Sequence, residues 1–423
     1  MGVPVPSWVM SESASRSPGL RDIPPGIWAL GFVSLLMDVS SEMIYALLPV
    51  YLVTVMGASM EMIGVIEGIA QATAPIVKIF SGALSDWLGK RKLIVAFGYG
   101  LAALTKPIFP LASSLGWVVA ARFIDRIGKG IRGAPRDALL ADLAPEPIRG
   151  AAFGLRQSLD MVGAFVGPLL AIGLMWLTAD HFQTVFWVAA IPAFLSLGLI
   201  LFAVHEPERP ATMRKIRFPL SRSELRRLSL NYWLVVIVAT VFTLAEFSTA
   251  FLILRARAVG LPLMLIPLVL VVMNVGSALA ALPVGALSDR VNRLSILIVG
   301  FALLIAADIV LAISGSLAGV ALGIIFWGLH LGFTQGLLAT LVADTAAPEL
   351  RGTAYGVFNL SAGLALLVAS ILAGALWDFL GSQATFLSGA LFTALALLGL
   401  LGVRWRGPNL GALQKPGILL KNS

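Results

Sequence analysis

Residues 82–91 read Gly82-Ala83-Leu84-Ser85-Asp86-Trp87-Leu88-Gly89-Lys90-Arg91, and the opening five return as Gly285-Ala286-Leu287-Ser288-Asp289. A second set repeats with almost the same displacement. Ala141-Asp142, Arg149-Gly150 and Gly154 return as Ala343-Asp344, Arg351-Gly352 and Gly356. Two matches separated by one offset, about half the chain, mark an internal duplication. Each copy of the first motif closes a long apolar run, so the repeated unit is a set of such runs joined by short polar connections.

Apolar runs of roughly 20 residues, the length that crosses about 30 Å of hydrocarbon as a helix, recur along the whole chain. They fall at 27–54, 61–84, 93–112, 115–137, 150–177 and 183–204 in the first half. In the second half they fall at 231–257, 262–286, 294–314, 317–341, 353–376 and 384–404. The runs are unbroken, whereas barrel strands alternate over about ten residues, so the spans are helices. Composition agrees: 58% of the 423 residues are apolar and 12% charged, and the mean hydropathy is +0.93. The expected fold is an all-α membrane protein of about 12 transmembrane helices, arranged as two pseudo-symmetric six-helix bundles. With no cysteine, disulfides, thiolate metal sites and cysteine nucleophiles are excluded. The net charge of +8 lies in short basic clusters between spans, which orient a membrane protein and do not form a nucleic-acid surface.

Those clusters set the topology. Lys90, Arg91 and Lys92 follow span two, Arg149 follows span four, and Arg209, Arg214, Lys215, Arg217, Arg222, Arg226 and Arg227 lie between spans six and seven. Arg290 and Arg293 follow span eight, Arg351 follows span ten, and Arg404, Arg406, Lys415 and Lys421 end the chain. The alternate connections are nearly free of Lys and Arg, with Arg255 and Arg257 the main exceptions. The positive-inside rule places both termini in the cytoplasm of a cell bounded by this membrane. The organisation is a tail over 1–25, a six-helix half over 26–205, a linker over 206–230, a second half over 231–404 and a tail over 405–423.

The loop quoted above, Gly82-x-Leu84-x-Asp86-x-x-Gly89-Lys90-Arg91, closely resembles the signature loop of the major facilitator superfamily. Trp87 stands where a basic residue is common, and Asn292 replaces the glycine in the weaker second copy, which keeps Gly285, Asp289 and Arg293. Arg122 matches the family's membrane-embedded arginine. Gly163-x-x-x-Gly167-Pro168-Leu-Leu-Ala171 resembles its antiporter motif, with Ala171 and Ile172 in place of the closing glycines. The resemblance spans about residues 26–404. It implies alternating access, a monomer as the default state, and a cytoplasmic latch in which Asp86 and Arg91 take part. The plainer reading of that loop is a solvated turn that sets topology. For Gly163 and Gly167 it is close helix packing, which is also how such a motif acts.

Ionisable groups inside spans are costly, so each is a functional candidate. Asp38 lies about 15 Å deep at 1.5 Å per residue, with Glu42 one turn further on the same face. Glu67, Asp160 and Glu246 join them as candidates for proton coupling, because a carboxylate in a low-dielectric cavity can exchange a proton near neutrality. The alternative for Asp38 and Glu42 is a buried ion pair, with Arg122 as a partner. Span four places Arg122, Arg126 and Lys129 on one stripe, overlapped by Asp125, Lys129, Arg132 and Arg136. Asp125 neutralises only one flanking cation, so the stripe is expected to stay net positive and to attract an anion. The competing reading has Arg132 and Arg136 snorkelling to headgroups and the upper charges paired with Asp38, Glu42 or Asp160. Gln157, Asn274 and His330 complete the candidate cavity residues, and His330 also reads as a satisfied polar contact. The methionines at 37, 43, 56, 60 and 62 read as packing before a soft-metal path.

The functional expectation is a secondary active transporter that exports a small molecule, drug-like or an organic anion, in exchange for protons. Alternatives are a proton-symport importer of a nutrient or a metal-complex transporter. No His-x-x-x-His pair, Gly-x-Ser-x-Gly elbow or phosphate-binding loop is present, so neither an enzyme, a cofactor nor a resident metal is expected.

Overall fold

The computed structural model describes residues 23–145, 148–207, 225–288, 291–347 and 350–406. Ten helices among them are long and apolar enough to cross a membrane. Span four (Leu115–Leu143) drops out of that count because of its charges, and span seven because it is broken into Leu230–Thr243 and Ala250–Ala258. Counted with these two, the chain forms two six-helix bundles.

Spans one, three and seven each divide into two α-helical pieces, and each break has a cause. Span one divides into Pro25–Tyr45 and Leu48–Thr54, with Pro49 in the first turn of the second piece, where its missing N–H costs nothing. Span three divides into Arg91–Thr105 and Ile108–Leu111 around Pro107. Span seven contains neither Pro nor Gly across its gap at 244–249. There Ser248 takes over: its N–H donates to Ser370 Oγ at 3.2 Å and its Oγ accepts from Ala250 N at 3.2 Å. Irregular backbone at membrane depth survives when side chains satisfy the groups the helix releases.

The sequence repeat becomes one ion pair per half. Arg91 Nη1 donates to Asp142 Oδ2 at 2.5 Å, and Arg293 Nη1 to Asp344 Oδ2 at 2.5 Å. Each ties the start of the third helix of its half to the end of the fourth. Glu206 adds a carboxylate over the N-terminus of span three, accepting from Arg91 N at 2.6 Å and Lys92 N at 3.1 Å. Gly89 ends span two at φ +64°, a left-handed turn that favours glycine. The side chain of Asp86, all of Asp289 and Arg290, and most of the basic linker lie outside the described residues.

Two bases depart from the loop pattern, and both are structural. Arg255 Nε and Nη2 donate to Leu311 O at 2.9 Å and Ser314 O at 2.6 Å, and Nη1 donates to Ser382 Oγ at 3.2 Å. It caps the carbonyl end of span nine and joins spans seven, nine and twelve. Arg257 Nη1 donates to Leu261 O at 3.0 Å.

The halves meet along spans two (Met60–Leu88) and eleven (Arg351–Leu380), which run antiparallel with small residues between them. A Cβ on Gly68 would sit 2.9 Å from Leu367 O, and one on Gly363 would sit 3.5 Å from Ala72 O. Gly64 and Gly374 come closer still, against Ser370 O and Met60 O. In lipid, contact of this kind comes from packing and not from hydrophobic exclusion, so glycine is what permits it. The seam is sealed at one end by Asp378, which accepts from Met60 N at 3.2 Å and Glu61 N at 2.7 Å. Leu48–Thr54 against Ala250–Ala258, and span five (Arg149–Leu177) against Leu263–Leu265, also join the halves at that end, opposite the basic loops.

Candidate functional site

Span four carries charges at membrane depth because its neighbours meet them. Arg122 Nη2 donates to Glu67 Oε2 of span two at 2.8 Å, and both side chains are buried. Ser248 Oγ donates to the same carboxylate at 3.1 Å, so this pair reaches into the second half. Asp125 accepts from Lys106 Nζ at 3.0 Å and from the Tyr45 hydroxyl, and Lys106 also reaches Ser41 Oγ at 3.1 Å. Lys106 is fully buried. The Tyr45 ring serves three cations: Arg122 Cζ at 3.7 Å from the centroid, Arg126 Cζ at 4.6 Å and Lys106 Nζ at 5.3 Å. Desolvated cation–π contacts contribute about 2 kcal/mol or more each, and for Arg126 this contact stands where no carboxylate pair is described.

This arrangement corrects the expected net-positive stripe. Lys106 consumes Asp125, Glu67 consumes Arg122, and both partners come from other spans. Arg126 and Lys129 remain, with no hydrogen bond or ion pair described for either. They face Glu42, with Asp38 one turn away and within the electrostatic reach of Lys129. Around the smaller chamber four cations (Lys106, Arg122, Arg126, Lys129) therefore stand against four carboxylates (Asp38, Glu42, Glu67, Asp125), with Arg132 and Arg136 further along the span. Arg122 pairs with Glu67 and not with Asp38, Glu42 or Asp160.

Snorkelling is also corrected. Arg132 is buried with its Cζ 4.6 Å from the Tyr99 ring centroid, and Arg136 Nη1 donates to Ser34 Oγ at 2.6 Å. Both cations lie inside the first bundle. Gly128 and Gly130 pack on Gly98 O and Val77, so they serve helix contact.

The antiporter-like glycines lie directly against the two acids of span one. A Cβ on Gly163 would sit 3.0 Å from Asp38 Cβ and 2.8 Å from Leu35 O; one on Gly167 would sit 2.8 Å from both Glu42 Cβ and Val39 O. Spans one and five thus touch backbone to backbone at the level of Asp38 and Glu42, with Pro168 buried just beyond. Asp160 pairs with Arg156 at 2.7 Å, and Gln157 accepts from Arg156 Nη2 at 3.1 Å. Neither lines the two central chambers.

Those chambers lie between the halves. The smaller, about 420 Å³, is lined by Glu42, Tyr45, Glu67, Arg122, Arg126 and Lys129 among others. The larger, about 680 Å³, is bounded by Phe165, Glu246, Phe247, Trp327 and Gln335. Gln71, Thr249 and Asn274 line both, so the two adjoin. Asn274 Nδ2 donates to Ala164 O across the halves at 3.2 Å. Glu246 sits in the gap of span seven. His330 Nε2 lies 3.6 Å from Glu246 Oε1, in a fully buried ring whose nitrogens have no described hydrogen-bond partner. In the repeated motif at the end of span two, Gly82 packs on Ala134, and the described partners of Arg91 lie in its own half.

Sequence reasoning passed over Lys106 and Tyr45. Lys106 had a signal, a lone base in an apolar run ahead of Pro107. Tyr45 had none.

The family described as the Major Facilitator Superfamily matches residues 30–367 and 235–418. An uncharacterized MFS-type transporter of Methanocaldococcus jannaschii is 32% identical over 389 residues, covering 90% of this chain and 95% of its own length. The inner membrane transport protein YajR of Escherichia coli is 27% identical over 395 residues, covering 88% and 81%. A solved POT family transporter in complex with 5-aminolevulinic acid has a TM-score of 0.77 at 14% identity, covering 93% of this chain and 98% of that one. At that identity the likeness shows the fold alone.

Proposed function

The chain belongs to the Major Facilitator Superfamily and is a secondary transporter, and from that premise we propose that it exports a small molecule in exchange for protons by alternating access. The observation that carries this reading is the seating of Gly163 and Gly167 on Asp38 and Glu42. Any shift of span five against span one changes the surroundings of both acids, so conformation and proton affinity are linked by reciprocal coupling. Arg126 and Lys129 are the cations that Asp38 and Glu42 attract when ionised and release when protonated. By the positive-inside rule the basic end is cytoplasmic, with both termini on that side of the cell membrane. The glycine seam then closes the outer side, and the chambers are placed to load from the cytoplasm.

Coupling sense and substrate charge are tied. A cationic substrate competes with protons for carboxylates and gives exchange. An anionic one would bind Arg126 and Lys129 when Asp38 and Glu42 are protonated, and so would travel with the proton. Lys129, for which no hydrogen bond or ion pair is described, is the observation that supports this second reading, an anion–proton importer.

The chain has no cysteine, so a spin-label pair can be introduced directly at Gly150→Cys and Gly352→Cys, repeat-related sites where an added side chain meets nothing within 4 Å. Acidification in lipid nanodiscs should move the distance distribution, and Asp38→Asn with Glu42→Gln should abolish the response. An unchanged distribution, or a response that survives in the double variant, would sink the proton-coupled reading.

A further inference from the structure

The two adjoining chambers differ in kind. The smaller holds the charge lattice. Among the residues lining the larger, Glu246 is the sole ionisable side chain, and no Lys or Arg reaches its wall. That wall is aromatic and thioether-rich, with Phe165, Phe247, Trp327, Met161 and Met273. A carboxylate facing π-faces and polarizable sulfur, with no resident cation, is a surface complementary to a large, weakly hydrated positive charge.

The neighbours of Glu246 sharpen this. His330 of span ten approaches at 3.6 Å. Two residues further along span seven, Ser248 contacts Glu67, whose charge is already matched by Arg122. Asp308 of span nine meets Phe247 over Gly389: a Cβ there would lie 2.5 Å from Asp308 Oδ2 and 3.0 Å from Phe247 Cε1. Both Asp308 oxygens are buried without a described partner. Spans two, five, eight and eleven contribute no ionisable side chain to this wall. A proton on His330 or on Glu246 would fill or remove the one attraction available, so proton and ligand exclude each other here.

We propose that the larger chamber is the substrate site, that it takes a lipophilic organic cation, and that Glu246 with His330 is where that cation and a proton compete. This rests on the export reading and supplies its substrate class.

Tetraphenylphosphonium and tetraphenylborate have nearly the same shape and opposite charge, so they isolate the electrostatic claim. Binding to the purified full-length protein is measured by equilibrium dialysis. The phosphonium should bind and the borate should not; Glu246→Gln should weaken phosphonium binding about tenfold or more, equivalent to about 1.4 kcal/mol, and Glu246→Asp should retain most of it. Wild type should lose affinity in acid, whereas His330→Gln should lose less. Equal binding of the two ions, full binding by Glu246→Gln, or no phosphonium binding by a protein that unfolds normally would each overturn the assignment. The spin-label response reports the export reading separately. If it holds while phosphonium fails to bind, the cation site is wrong and proton coupling stands; if phosphonium binds with no pH response, the reverse is true.

Discussion

The two halves share a plan and differ in what they enclose. Each keeps the ion pair that joins its third helix to the end of its fourth, Arg91–Asp142 in the first and Arg293–Asp344 in the second. The first half fills its interior with a lattice of Asp38, Glu42, Glu67, Lys106, Arg122, Asp125, Arg126 and Lys129. In the second, the described interior is aromatic: Phe242 stacks on Phe301 at 4.1 Å, and Phe247 touches Trp327 and Phe386. Glu246, Asp308 and His330 are its ionisable groups at depth. Duplication has preserved the fastening of the bundle and let the contents diverge, which is how one fold carries many substrates.

The strongest way to break this contrast is to unbalance the lattice. Lys106→Met leaves the buried Asp125 without its ion-pair partner and with the Tyr45 hydroxyl as its described hydrogen-bond donor, and removing one member of a buried pair costs about 3–5 kcal/mol. A large fall in thermal stability is expected. Lys129→Met, which removes a cation with no described hydrogen bond or ion pair, should cost clearly less stability than Lys106→Met while altering the pH response of the spin labels. If the two variants lose equal stability, Lys106 and Lys129 do not differ as the structure has them.

A second test acts on the seam between the halves. Gly68→Leu forces a side chain against the backbone at Leu367, and overpacking costs about 1–3 kcal/mol. That cost falls only on the conformer in which the seam is closed, so the Gly150–Gly352 distance should shift toward the alternative state with little change in unfolding temperature. A loss of folding without any shift would mean that the seam is a permanent contact.

The smallest effect compares the repeated ion pairs. Arg91 is the more buried and also donates to Ala138 O at 2.9 Å, whereas Arg293 is more exposed. Arg91→Ala should cost about 1.5–3 kcal/mol, as for hydrogen bonds to charged groups, and Arg293→Ala about 1 kcal/mol or less. Calorimetry in detergent ranks them; the reverse order would show that the second copy carries more of the load.

The fold was legible because each of its causes is local. Apolar length gives the spans, basic clusters give the alternation, and the Gly82–Asp86 repeat gives the duplication. Asp38, Glu42 and Arg122 could be singled out for the same reason, since a charge inside an apolar run stands out whatever surrounds it. What stayed hidden is pairing. Nothing in spans two and three says that Glu67 will meet Arg122, or that Lys106 will meet Asp125, and without those partners span four looks net positive. The gap in span seven was hidden too. Its residues Leu244 to Thr249 contain no breaker, and the gap is held open by Ser248 contacts with residues more than a hundred positions away.

Exchange of substrate for proton is tested most directly by counting protons when a ligand binds. The purified protein is placed in weakly buffered detergent solution with a ligand that raises its unfolding temperature, and the pH is followed on mixing. The account expects proton release, diminished in Asp38→Asn and Glu246→Gln. Proton uptake on binding would contradict it, and would make the protein a carrier that moves substrate and proton together.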